Sequence, residues 1–199
     1  MALSKIQSES VNLADNFAFS GTVSGAGGLI PLSTVTISSP TPNITFDNLS
    51  TDYDTYMFFI EAHPSNNNVS LYSRFLNSSG VEINGSSDYG YYLDQDGTAL
   101  SSDGTFSMRL SNSTGNNSYE GYRGVLTLQG RNYAVDTSVK PPQVSGTYSI
   151  TNGSTLLSGG AFYGGLNASA VATIRGYRFF FSGGNIEKGK ISIYGVTQP

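Results

Sequence analysis

Apolar and polar positions alternate with a period of two along most of the chain after Ile30, in short runs separated by clusters of Gly, Ser, Asn, Asp and Pro. Successive side chains of a strand point to opposite faces, so this pattern predicts strands with one buried face rather than helices. Tyr56, Phe58 and Ile60 share a face of residues 56–62, the strongest central strand. Over 69–76, Leu71 and Phe75 point inward and Tyr72 and Arg74 outward. The loop 64–68 between these two runs predicts a hairpin. Shorter runs at 35–37, 44–46 and 89–93 predict further strands, as do Phe106, Met108 and Leu110 alternating with Ser107 and Arg109. Residues 119–129 place Tyr122, Leu126 and Leu128 on one face, 133–139 add a short run, and 144–151 point Tyr148 and Ile150 inward.

Two stretches break the simple alternation. Residues 156–166 are rich in glycine, which marks a bulge or a close approach to another backbone. At the end of the chain, Tyr177, Phe179 and Phe181 share one face with Ile174 and Phe180 on the other, the filling of a strand covered on both sides. Ile191 and Ile193 then alternate with Lys190, Ser192 and Tyr194, and Ser182-Gly-Gly-Asn185 supplies the turn, so the two arms read as strands around a tight loop. About ten strands without a long helix predict an all-β protein, an antiparallel β-sandwich of jelly-roll type.

The first 30 residues depart from this pattern. Polar residues surround one apolar patch at Phe17 and Phe19, and Ser20-Gly-Thr-Val-Ser-Gly leads on as a connector. The chain therefore divides into an extended N-terminal arm, 1–30, and a sandwich domain, 31–199. Leu13, Phe17, Phe19 and Val23 are the arm's candidate assembly residues. The arm is expected to dock on a neighbouring subunit or a larger particle; the alternative is that it folds back on its own domain.

Composition narrows the function. Of 199 residues only 12% are charged and the net charge is -4, so no basic field exists to hold nucleic acid. Gly 24, Tyr 13 and Phe 11 suit pleated surfaces joined by turns. There is no cysteine, which excludes disulfides and thiolate metal sites. No apolar run approaches the roughly 20 residues of a membrane helix, and residues 1–7 lack the apolar stretch of a signal peptide. No membrane partner and no secretion are expected. Asn-x-Ser/Thr triplets begin at Asn43, Asn48, Asn68, Asn77, Asn112, Asn116, Asn152 and Asn167, and without secretion they read as a by-product of polar loops.

Catalytic chemistry finds little material. His63 is the sole histidine, at a strand end before Pro64, and no Gly-x-Ser-x-Gly elbow is present. Glu61 and Glu120 are the one carboxylate pair that neighbouring strands could set face to face, as a glycosidase needs, yet both fall on polar strand faces where a solvated role is commoner. Asp94, Asp96 and Asp103 with Gly97 and Gly104 offer the oxygen ligands of a calcium loop without the closing glutamate of an EF-hand, and a plain polar loop is the expectation. No catalytic residue, metal or cofactor is assigned. Tyr89, Tyr91 and Tyr92 beside Asp88 and Asp94 are the candidate glycan-binding residues, against the reading that they are strand aromatics filling the core.

Both ends resemble a known group. Residues 4–27, with Asp15-Asn-Phe-Ala-Phe19 and the Ser-Gly connector after it, resemble the leader of fibre-like and other virion proteins of tailed bacteriophages. Residues 180–196, ending in Ile193-Tyr-Gly-Val196, are similar to the closing strands of small jelly-roll domains in those proteins. Leu71-Tyr-Ser-Arg-Phe75, Gly80 and Tyr89-Gly-Tyr-Tyr92 resemble the group more loosely. The resemblance implies a non-enzymatic virion structural protein, an appendage or decoration subunit on capsid or tail, assembled in the host bacterial cytoplasm. Its implied partners are other virion proteins and copies of itself, as in a trimer. The alternatives are a carbohydrate-binding module for a host surface glycan and, third, a glycan hydrolase.

Overall fold

A computed structural model of the chain describes residues 28–131, 141–153, 157–167 and 173–197. The arm residues Leu13, Phe17, Phe19 and Val23 and the run 133–139 lie outside them. Among the described residues the fold is all-β: β1 Leu29–Ile37, β2 Ile44–Phe46, β3 Thr55–Pro64, β4 Leu71–Asn77, β5 Tyr89–Gln95, β6 Thr98–Thr105, β7 Met108–Arg109, β8 Gly121–Gln129, β9 Gln143–Thr151, β10 Leu157–Leu166, β11 Ile174–Phe181 and β12 Ile186–Val196. They form two antiparallel sheets arranged as a sandwich. The larger runs β1-β12-β3-β8-β9-β10-β5-β6 and the smaller β2-β11-β4-β7. The hairpins β5-β6 and β9-β10 sit together at one end of the larger sheet. Without them, β1-β12-β3-β8 faces β2-β11-β4-β7 and every remaining link except that from β4 to its neighbour β7 crosses from one sheet to the other, an order compatible with a jelly roll.

That crossing corrects two expectations. The runs 56–62 and 69–76 are not a hairpin, because β3 pairs with β12 and β8 while β4 pairs with β11 and β7. Likewise β11 and β12 are strands around a loop, but in different sheets. Alternation tells which face of a strand is buried and says nothing of its partner. Sheets pack about 10 Å apart, and four linking residues reach roughly 13–14 Å, so Ser182–Asn185 is long enough to cross. The two crossings hold each other. Ser65 N donates to the Asn185 carbonyl at 2.9 Å, Asn185 N to Ser65 Oγ at 2.8 Å, and Ser182 N to the Ser70 carbonyl at 2.9 Å. Gly184 turns the chain at a φ of 74°, where a side chain is strained.

The inward positions read from the alternation are the core. Tyr56, Phe58, Ile60, Tyr122, Leu126, Leu128, Ile191 and Ile193 of the larger sheet are buried against Leu71, Phe75, Tyr177, Phe179 and Phe181 of the smaller. Phe58 is the centre. Its ring lies 5.6 Å from Phe46, 5.4 Å from Tyr177 and 5.4 Å from Phe179, two of them edge-to-face. Two of the buried phenols have partners: Tyr177 donates to Ser73 Oγ at 2.7 Å, and Tyr89 donates to the Ile83 carbonyl at 2.8 Å.

Elsewhere the pattern needed tertiary information. β1 begins at Leu29, earlier than the run 35–37 suggests. Phe106 is not inward with Met108 and Leu110; it is 54% exposed, because the extended run there is only the two residues of β7. Ile174 shares the inner face with Tyr177, since a register shift between Ile174 and Gly176 resets the alternation. The outer side of β11 is covered by side chains rather than by a third layer. Phe180 stacks on Tyr72 at 5.9 Å and under the Arg74 guanidinium at 4.7 Å. Glu82, on the β4–β5 connection, bridges Arg74 at 2.6 Å and Arg178. The glycine-rich run is β10, wedged between β9 and β5: a Cβ at Gly160 would stand 1.9 Å from the Asp94 carbonyl oxygen.

Replacing Phe58 by Ala removes the ring on which both sheets close. The expected loss is about 3–5 kcal/mol, read as a lower urea midpoint with an unchanged transition slope.

Candidate functional site

Four groups of residues carried chemical expectations, and the fold separates them. His63 ends the buried face of β3, with Nε2 2.7 Å from the Asn117 carbonyl and Nδ1 3.1 Å from a Glu187 carboxylate oxygen. Glu61 points outward and pairs with Arg123 at 3.0 Å, both side chains largely exposed. Glu120 departs from the expectation of a solvated strand residue. It precedes β8, is buried, and accepts the backbone N–H of Asn117 at 2.7 Å and that of Gly153. Desolvation works to raise its pKa, but these hydrogen bonds and nearby His63 outweigh it and hold the carboxyl below its ordinary value. Glu61 is half of an exposed ion pair, and Glu120 is a buried loop fastener whose shift runs opposite to that of a glycosidase's proton donor.

The three aspartates also part company. Asp94 Oδ1 accepts Gly97 N at 3.0 Å and closes the β5–β6 turn, where Asp96 and Gly97 both have positive φ. Asp96 ties that turn to β10 through the Ser158 hydroxyl and Gly159 N, and the Ser158 bond, then the Gly159 bond, lowers its pKa. Asp103 stands at the far end of β6, opposite Gly90. Among the described residues no three acidic or imidazole side chains converge on a point where a metal ion could sit.

The aromatic triplet divides as well. Tyr89 is fully buried: it stacks on Phe75 at 6.2 Å, its hydroxyl accepts Phe75 N at 2.9 Å, and burial pushes its phenol well up. It belongs to the core and cannot contact a glycan. Tyr91 is half-buried against the core's margin. Tyr92 alone stands on the outer face, stacked at 4.9 Å and 12° on Tyr163, its partner across β10. Tyr163 is 58% exposed.

The register builds a site around that pair. One row across the outer face of five strands reads Asp103, Gly90, Gly165, Gln143, Gln129; the next same-facing row reads Ser101, Tyr92, Tyr163, Ser145, Thr127. The paired glycines leave bare backbone beside the aromatic pair, and the result is a groove of about 460 Å³. Asn167 donates from Nδ2 to the Ser87 carbonyl at 2.8 Å, which fixes its amide at the groove's end. A Cβ built on Gly90 would stand 3.2 Å from Asn167 Oδ1 and 3.4 Å from Asp103 Oδ1, so two acceptors converge above the bare strand. Sequence reading missed Tyr163 because 156–166 was not assigned to a strand. Its signal was there in Phe162-Tyr163, an inward and an outward aromatic flanked by paired glycines.

The opposite edge carries another feature. β1 pairs only with β12, so its outer backbone is unpaired by any described strand, and Leu29, Ile30 and Leu32 are 41%, 37% and 40% exposed.

Replacing Glu120 by Gln leaves one acceptor oxygen for two part-buried N–H groups. The expected loss at neutral pH is about 0.5–1.5 kcal/mol. Because the folded-state pKa is lowered, the native carboxylate contributes fully above its unfolded value and progressively less as pH falls through the folded one. Urea midpoints of the two proteins should therefore converge in acid; a constant gap would contradict the assignment.

No family model matches the chain, and no curated protein or solved structure matches it.

Proposed function

We propose that this chain is a non-enzymatic structural subunit of a bacteriophage virion, an appendage or decoration protein with a jelly-roll domain, assembled on capsid or tail through its first residues. The resemblance of residues 4–27 and 180–196 to such proteins supplies the class. The observation that carries the reading is β1. It is nine residues long, has no charged side chain, presents three large apolar residues at its start and lies at a sheet edge. Monomeric β-proteins blunt such edges with charges, bulges or covering loops, because an open row of N–H and C=O groups recruits another strand. Pro31 removes one donor and a register shift follows it, which is partial protection only.

β1 continues directly from the residues that resemble a virion leader. We take its occupant to be a neighbouring copy of this chain, in a closed symmetric oligomer such as a trimer. The lowered pKa of Glu120 and the exposed Glu61–Arg123 ion pair support a non-catalytic role, since the first carboxyl fastens a loop and the second is engaged by a guanidinium.

Sedimentation equilibrium of the full chain tests this reading. The native protein is expected to be oligomeric, and a Leu29→Asp, Leu32→Asp double variant to be monomeric with an unchanged circular dichroism spectrum. A native monomer at micromolar concentration would sink the reading. Removal of residues 1–27 is expected to abolish incorporation into particles while leaving a folded domain.

A further inference from the structure

We infer that the outer groove over β5, β9 and β10 binds an uncharged pyranose unit of a polysaccharide, with Tyr92 and Tyr163 as the apolar platform and Asp103, Asn167, Gln143 and Gln129 as hydroxyl partners. A pyranose has one face of C–H groups and a rim of hydroxyls. It is held by an aromatic surface on one side and by carboxylate and amide groups that exchange paired hydrogen bonds with neighbouring hydroxyls. The outer rows of the sheet offer both within one span of five strands. The Tyr92–Tyr163 pair stands beside a floor of two glycines, with a carboxylate at one end of the row and two amides at the other.

The polar groups are available. Among the described residues the side chains of Asp103, Gln143 and Gln129 make no hydrogen bond within the chain and are exposed, whereas Asn167 is anchored by its nitrogen so that its oxygen is left facing Gly90. A volume of about 460 Å³ falls in the range of about 300–1,000 Å³ typical of small-ligand sites. The sign of charge selects among ligands. The described lining holds one carboxylate and no Lys or Arg, so phosphorylated, sulfated or uronic acid units meet a repelling group and no counter-charge. Packing accounts for Gly165, where a Cβ would stand 2.6 Å from the Pro142 carbonyl oxygen, but not for Gly90, whose nearest backbone neighbour, the Ser102 carbonyl oxygen, would be 3.8 Å away. A Cβ at Gly90 would press on Asn167 and Asp103 and fill the floor.

The groove lies at the opposite end of the larger sheet from β1, so this inference stands or falls independently of assembly. The test is affinity electrophoresis of the full chain in native gels containing glucan, mannan or galactan, with polygalacturonate as the charged comparison. At least one of the three neutral polymers is expected to retard the native protein. Tyr163→Ala and Asp103→Asn should each weaken that retardation at least tenfold with urea midpoints unchanged, and Tyr119→Ala, an exposed tyrosine outside the groove, should leave it intact. Retardation by polygalacturonate alone, by none of the polymers, or to the native extent in Tyr163→Ala or Asp103→Asn would overturn the assignment.

Discussion

Phe58 stands on the inner face of the larger sheet with Phe46, Tyr177 and Phe179 around it, and this ring contact fixes the distance and register between the two layers. The chain has no disulfide to hold the layers together, so their attachment rests on burial. Edge-to-face rings are directional where aliphatic contacts are not, so the seam sets how the sheets sit as well as how strongly they adhere. Other features follow from that placement. The crossings near Ser65 and Asn185 must bridge the spacing the rings impose, and the buried phenols of Tyr177 and Tyr89 must find partners inside the layer, which Ser73 and Ile83 provide.

The larger sheet does two different things along its width. From β1 to β8 its inner face meets the smaller sheet, and the sandwich proper is there. Beyond β8 the two inserted hairpins extend the same ladder, with Tyr148, Phe162 and Leu93 still buried on the inside. Their outward positions are under a lighter constraint, since no described strand covers them. The Tyr92–Tyr163 stack and the glycine floor lie in this extension.

Much of this was legible in the chain. The inward sets Tyr56-Phe58-Ile60, Tyr122-Leu126-Leu128 and Ile191-Ile193 were readable because burial follows a period of two on any strand with one buried face. Pairing was not legible. A loop of four to six residues serves a hairpin or a crossing equally well, so β3 with β4, and β11 with β12, looked like neighbours. The candidate site was half legible: Tyr92 was singled out, but Tyr89 was grouped with it although three positions earlier places it on the inner face. Tyr163 was hidden by glycines that weaken any strand assignment, and these are required because β10 is squeezed between the backbones of β9 and β5.

The pairing of β1 with β12 brings the two ends of the described chain to one corner, where Gly28 N donates to Thr197 Oγ1 at 3.1 Å and Thr197 N to the Gly28 carbonyl at 3.3 Å. Mechanically, this corner is a zipper. A pull that enters at Gly28 and leaves at Thr197 peels the antiparallel ladder from its open end and loads one rung at a time. A pull directed along β1 loads all its rungs together. The same subunit is therefore weak as a link in a chain and strong as an anchored plate, provided that tension reaches it along the strand.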